Sequence, residues 1–234
     1  MDGSKGRTRR RGDAEETRRR VLDVVVATVM EIGYYNTSSN EIARRAGVTW
    51  GSIQHLFGSR EQLMLDVVND IGRAAEERIS KAVISGETLE ERLDDVLNVL
   101  GAYYGQDIYI VQMQILLELS ANPKMSALAD RVVDRGGAGI FDRLAGPLLS
   151  KALGAAADDH EVVFFAFMTM RSFLIASAIT RRIADLPEGA ILRLMGKSGD
   201  LEGADLRGMV VRGLSVMIRE ELARRKSLAA NAGG

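Results

Sequence analysis

Apolar residues recur every three or four positions along most of the chain, the period of a helix packed on one side. Val21, Leu22, Val25, Val29 and Ile32 share one such face and predict a first helix from about Ala14 to Ile32. Gly33 ends it, because a residue without a Cβ suits the left-handed position after a helix. Ser38 followed by Glu41 has the spacing of a capping box and opens a short helix that Gly47 stops. Thr49 offers a cap for another short helix through Trp50, Ile53 and Phe57. Ser59 with Gln62 repeats the capping pattern and opens a longer helix to about Ser85. Further on, the pattern predicts helices over Thr88–Tyr104, Asp107–Ser120, Lys124–Leu153 (bent at Gly136, Gly137, Gly139 and Pro147), Asp158–Ile183 and Leu206–Arg225. A loop covers 184–204, and the last nine residues fray. No segment sustains the period-two alternation of a strand. The expectation is an all-α fold.

Charge changes the picture by its distribution. The 234 residues carry a formal net charge of -1, with 31 basic and 32 acidic groups. Residues 1–60 hold 11 Lys and Arg against 7 Asp and Glu, and residues 61–234 hold 20 against 25. Eight of the basic groups lie in the first twenty residues, among them Arg9, Arg10, Arg11, Arg18, Arg19 and Arg20. A basic end on a mildly acidic body points to a polyanion partner for that end. Residues 1–13, polar throughout, are expected to be a disordered basic tail. The absence of cysteine removes disulfides, Cys-ligated metal and a Cys nucleophile from this chain. The two histidines, His55 and His160, are far apart. No apolar run follows the basic start, so a secretory signal is not expected. The most apolar stretch, Val162–Thr180, has Arg171 at its middle. A central Arg costs a spanning helix about 2.5–3.5 kcal/mol, which favours a buried helix of a soluble, cytoplasmic protein with no membrane partner.

A short helix, a turn with glycine and a second short helix make a helix-turn-helix. Ile42, Ala43, Ala46, Val48 and Ile53 supply the small and apolar surface for two helices to cross closely. The second helix presents Thr49, Trp50, Ser52, Gln54 and His55, donors and acceptors suited to base edges and phosphates. The surrounding string is more specific. Thr17-Arg18-x-x-Val21-Leu22, Gly33-Tyr34-x-x-Thr37-Ser38, Ile42-Ala43-x-x-Ala46-Gly47-Val48-Thr49-x-Gly51-Ser52-Ile53 and Phe57-x-Ser59-Arg60-Glu61-x-Leu63 follow one another at fixed spacing. Thr17 to Leu63 thus resembles the N-terminal domain of the TetR family of one-component transcriptional regulators.

The resemblance implies a DNA-binding domain over 14–63 and a helical ligand-binding and dimerisation domain over 64–228. It implies a homodimer, through the last two long helices, on a palindromic double-stranded operator. It implies a repressor role, and no cofactor. Thr37 or Ser38 would cap the first motif helix and touch phosphate. Thr49, Trp50 and Ser52 would face bases, and His55 and Arg60 would meet phosphates. Gln54 stands where the family commonly has Tyr, and a Gln can contact adenine in a bidentate manner. Trp50 is bulky for a base-facing position. Val24, Val25 and Val29 replace the usual alanines and Phe. The same fold acting without an effector, or as an activator, is the alternative.

In the body, Tyr103, Tyr104, Tyr109, Gln112, Met113, Gln114, Glu118, Phe164, Phe165, Met168, Met170, Arg171 and Phe173 lie on the most apolar predicted helices. Tyr103, Tyr104, Gln112, Met113, Glu118, Phe165, Met168 and Arg171 are the candidates for contact with a small, largely hydrophobic effector. A buried charge needs a partner, so either Glu118 pairs with Arg171 or one of them meets the ligand. Enzyme signatures are missing: there is neither G-x-S-x-G nor H-E-x-x-H. Gly196-Lys197-Ser198 lacks the upstream glycine of a phosphate loop, Ile191 standing in its place. Asp158-Asp159-His160-Glu161 reads as acidic capping of a helix start.

Overall fold

The first helix, α1 (Gly3–Ile32), closes where Gly33 turns to φ +77° and returns its N–H to Val29 O at 2.9 Å. The computed structural model describes residues 3–121, 145–184 and 205–232. The helix starts at Gly3 and not at Ala14, so it takes in the segment expected to be disordered. That segment lacks proline, and Arg is a good helix former. After α1 come α2 (Ser39–Ala46), α3 (Trp50–Phe57), α4 (Arg60–Ser80), α5 (Leu89–Tyr104) and α6 (Asp107–Ala121). Then follow α7 (Gly146–Leu153), a 3-10 turn (Gly154–Ala156), α8 (His160–Ala184) and α9 (Leu206–Ala232). Every regular element among the described residues is helical. Of the bends expected in Lys124–Leu153, those at Gly136, Gly137 and Gly139 lie outside the described residues, whereas Pro147 stands in the first turn of α7. Of the loop expected over 184–204, residues 185–204, with Gly196-Lys197-Ser198, lie outside the described residues.

Two units partition the chain. The first is Met1–Ala74 with Asp107–Gly137, and the second is Ala75–Gln106 with Ala138–Gly234. The division falls inside α4 and groups α6 with the N-terminal helices, whereas the spacing of motifs suggests a boundary at residue 63. The cause is packing: α6 lies against α1 and buries Val111, Ile115 and Leu119. The core of this unit also takes Val21, Val25, Val29, Leu63, Met64 and Val67, all inaccessible to solvent.

In the second unit α5 is central and packs against α7, α8 and α9. Thr88 and Glu91 form a full capping box at its start, which adds about 1 kcal/mol over an uncapped end. Leu93, Val96, Leu97 and Leu100 are buried along it. A Cβ on Gly101 would lie 3.3 Å from a Leu174 methyl, so glycine there lets α5 and α8 approach closely. Polar ties sit at the edges. Arg92 Nε donates to Ala152 O at 2.8 Å and Arg207 Nε to Asp94 Oδ1 at 2.7 Å. Arg219 and the Ser215 hydroxyl both donate to the Glu90 carboxylate, holding it below the usual carboxylate range. Asp159 caps α8, accepting from Glu161 N–H at 3.0 Å and Val162 N–H at 3.2 Å, and also pairs with Arg225.

By length and composition α8 could cross a membrane. In this fold one side packs through Val163, Ala166, Phe167, Met170 and Leu174, and the other side is open. The expectation of a fully buried helix is therefore corrected. Phe164, Phe165, Met168 and Ile179 lie on its exposed side.

Candidate nucleic-acid interface

Local chemistry builds the helix-turn-helix. Ser38 Oγ accepts the Glu41 N–H at 3.2 Å and starts α2. Gly47 ends it at φ +66°, and Val48 N–H returns to Ala43 O at 3.1 Å. Thr49 Oγ1 accepts the Ser52 N–H at 3.1 Å and starts α3, with the Ser52 hydroxyl 2.9 Å away. Ile42, Ala43, Ala46, Ile53 and Phe57 are buried. That burial fixes the opposite face of α3: Thr49, Gly51, Ser52, Gln54 and His55 are exposed, and Trp50 is half-exposed. Thr49, Ser52 and His55 share a shallow depression with Asp13, Ala14 and Thr17 of α1. Thr17 therefore stands beside the presented face. Its place in the motif string was the signal that could have marked it as a site residue.

Two of the expected phosphate contacts point inward. Thr37 is inaccessible to solvent, and its hydroxyl donates to Gly33 O at 2.8 Å. Arg60 donates through Nη1 to the Tyr34 hydroxyl at 2.8 Å and through Nη2 to Thr37 O at 3.1 Å. Its guanidinium lies 4.7 Å from the Tyr34 ring centroid. Both residues serve the turn between α1 and α2 because that turn leaves backbone groups that helices cannot satisfy. Ser38 remains exposed, with its oxygen occupied by capping.

The neighbouring arginines are also matched. Arg44 and Arg45 both reach Glu41, at 2.7 and 2.5 Å, and Arg45 extends to Glu31 at 2.5 Å. The two guanidinium groups hold the Glu41 carboxyl down to about 2, and Arg45 likewise lowers Glu31. Glu41 is thereby drawn away from the Ser38 backbone, so the capping box is made on one side only. Arg18 pairs with Asp66, donates to Leu56 O at 3.3 Å and covers the Phe57 ring. The exposed face of α3 thus carries hydroxyl, amide, indole and imidazole groups, with no carboxylate or guanidinium among them.

The family profile of bacterial regulatory proteins, tetR family, matches residues 21–67, which contain this motif. Residues 21–67 are therefore a tetR-family DNA-binding domain. It is 29% identical over 82 residues to the HTH-type transcriptional regulator BetI of Agrobacterium fabrum, a match covering 35% of this chain and 40% of that protein. It is 21% identical over 176 residues to the HTH-type regulator CymR of Pseudomonas putida, covering 72% of this chain and 84% of that regulator. Among solved structures, a transcriptional regulator from Saccharomonospora viridis in complex with choline shares the fold at TM-score 0.54 and 18% identity, covering 88% of this chain and 96% of that one. A Rhodococcus transcriptional regulator does so at TM-score 0.52 and 16% identity, covering 71% and 86%.

Beyond this tetR-family domain the residues expected to meet an effector do not gather in one place. Tyr103 and Tyr104 are buried side by side, ring centroids 4.7 Å apart. Phe167 approaches Tyr104 at 6.0 Å, and the Arg171 guanidinium lies 5.5 Å from the Tyr104 ring. Gln112 is buried in the first unit, where its Nε2 donates to Val68 O at 3.3 Å. Glu118, on the same helix, has its carboxylate beside the Tyr35 phenol and raises it above its ordinary range. Its partner is a tyrosine that no periodicity pairs with it. Met113 is half-exposed. Phe165 and Met168 are on the surface of their unit, 53% and 36% exposed, and not in its core. Among the described residues no three His, Asp or Glu side chains form a cluster able to hold a metal ion.

Proposed function

We propose that this TetR-family transcriptional regulator is a repressor that binds a palindromic DNA operator as a homodimer and is released by a small, largely hydrophobic effector. The observation that carries the DNA reading is the exposed hydrogen-bonding face of α3, held by two side-chain caps over a buried apolar face. Thr49, Trp50, Ser52 and Gln54 meet base edges, and His55 and Thr17 meet the phosphate backbone. The basic start of α1 adds electrostatic attraction that needs no sequence reading. A cytoplasmic location follows from such a role.

The effector contacts in this proposal are Tyr103, Tyr104 and Arg171, with Phe167 added. Aromatic faces take the apolar part of the ligand, and the guanidinium takes a polar or acidic end. The choline seen with the Saccharomonospora viridis relative supports small-molecule sensing on this fold and leaves the ligand class to Arg171. Ligand binding shifts the population of α4 placements, since α4 begins at the motif and ends in the second unit. A dimer grips DNA only when its α3 helices sit about 34–36 Å apart, one helical turn. Selection of bound duplexes from a randomised library tests the reading. A palindromic consensus whose binding falls steeply with salt is expected. Enrichment of no sequence overturns it.

A further inference from the structure

Helix α6 directs polar side chains at the DNA-binding elements of its own unit. Gln114 Oε1 accepts the Tyr34 N–H at 3.2 Å, and the Glu118 carboxylate lies beside the exposed Tyr35 phenol and raises it above its ordinary range. The two side chains are four residues apart, so one helical face meets two consecutive residues of the turn after α1, with Gln114 making the bond to its backbone. That turn is the irregular part of the unit. Beyond Gly33 its backbone groups are satisfied by Thr37 N–H to Tyr34 O at 3.1 Å, Thr37 Oγ1 to Gly33 O, and Arg60 Nη2 to Thr37 O. Ser38, the cap of α2, follows Thr37 directly. A continuous set of hydrogen bonds therefore runs from α6 through the turn to the starts of α2 and α4. An apolar residue at 114 would fill the same space without bonding the turn, so packing alone does not call for an acceptor there.

We propose that Gln114 and Glu118 are positioning residues for DNA recognition: neither touches DNA, and together they hold the Gly33–Thr37 turn in the register that presents α3. This rests on the reading of α3 as the DNA-contacting helix. Base contacts tolerate displacements of only about 0.5 Å, so loosening the turn weakens specific contacts ahead of non-specific ones.

The test uses the full chain with Gln114→Met, Glu118→Leu and Glu118→Gln. Affinity for a library-selected duplex and for an unrelated duplex is measured by fluorescence anisotropy, and exchange of amides 33–38 by hydrogen–deuterium mass spectrometry. Gln114→Met and Glu118→Leu are expected to bind the selected duplex about five- to tenfold more weakly, the scale of one lost hydrogen bond. Binding to the unrelated duplex stays unchanged, and amides 33–38 exchange faster. Glu118→Gln, which keeps an acceptor, restores both. An unchanged ratio of specific to non-specific binding overturns the proposal, as does Glu118→Gln behaving like Glu118→Leu. The exchange measurement needs no DNA. Unchanged exchange in Gln114→Met overturns the clamp by itself, whereas a parent protein that selects no duplex overturns the DNA reading instead.

Discussion

Arg60 and Tyr34 meet twice: the guanidinium donates to the phenol at 2.8 Å and also lies 4.7 Å from the centre of the same ring. A residue that resembles a phosphate contact in sequence is thus a brace for the turn that leads into α2. A partly buried cation–π contact and a charged hydrogen bond together contribute about 1–3 kcal/mol. Arg60→Ala should lower unfolding stability by that amount in urea titration. Arg60→Lys should recover little, since an ammonium cannot reach Tyr34 Oη and Thr37 O as a planar fork does. The salt dependence of DNA binding should keep its slope in both. A slope reduced by about 0.9, the value for one phosphate, would return Arg60 to the DNA.

Gln54 and His55 are adjacent and exposed on α3, yet they should fail differently. Gln54→Ala is expected to relax preference at one base position, costing about 1–3 kcal/mol against the preferred base. His55→Ala should weaken all sequences alike. Selection profiles of the two variants separate these outcomes. A profile for Gln54→Ala identical to that of the parent sinks its role as a base reader.

Local signals were the legible part of this chain. The caps at Ser38 and Thr49 and the stops at Gly33 and Gly47 follow from residues within four positions, and the structure has them where the spacing puts them. Contacts beyond the reach of local spacing join distant residues. Thr37 and Arg60 are 23 positions apart, and Gln114 meets Tyr34 across 80. Helical periodicity told that α6 is apolar. It gives no indication that α6 packs on α1, and that packing is what engages its polar residues Gln112 and Gln114. Phe165 and Met168 show the converse: both are apolar yet stand on the open side of α8, because an apolar face can equally await a second chain.

Acid should loosen the ion pairs that Glu41 makes on α2. Glu41 is held down to about 2 by Arg44 and Arg45, from an ordinary value of 4.5. A carboxylate with a lowered value in the folded state adds stability that is complete above its unfolded value and is lost as pH falls through the folded one. The contribution is therefore present above about pH 4.5 and gone near pH 2. Thermal midpoints of the parent should fall more steeply across that window than those of Glu41→Gln, in which no carboxylate is left to protonate. Parallel pH curves for the two proteins would show that the Arg44–Glu41–Arg45 group adds nothing to stability.

The exposed sides of α8 and α9 make the dimer claim testable. Phe165 and Met168 sit on the open side of α8, with Ser172 and Ala176 following at helical spacing. On α9, Met209 and Val216 flank Gly213 on an open side of their own. Small residues between large apolar ones allow two such helices to approach a second copy closely, and a stable interface needs about 800 Å² from each partner. In a two-fold dimer one substitution acts twice, so Met168→Glu places two carboxylates in an apolar contact. Light scattering at micromolar concentration should give twice the chain mass for the parent and the single mass for Met168→Glu. Leu117→Glu changes a still more exposed leucine on α6, in the other unit, and should stay dimeric. The monomeric variant should lose palindrome binding while each α3 keeps its weak non-specific affinity, because two linked half-sites bind far more tightly than one. A monomeric parent, or a dimeric Met168→Glu, would remove α8 from the interface.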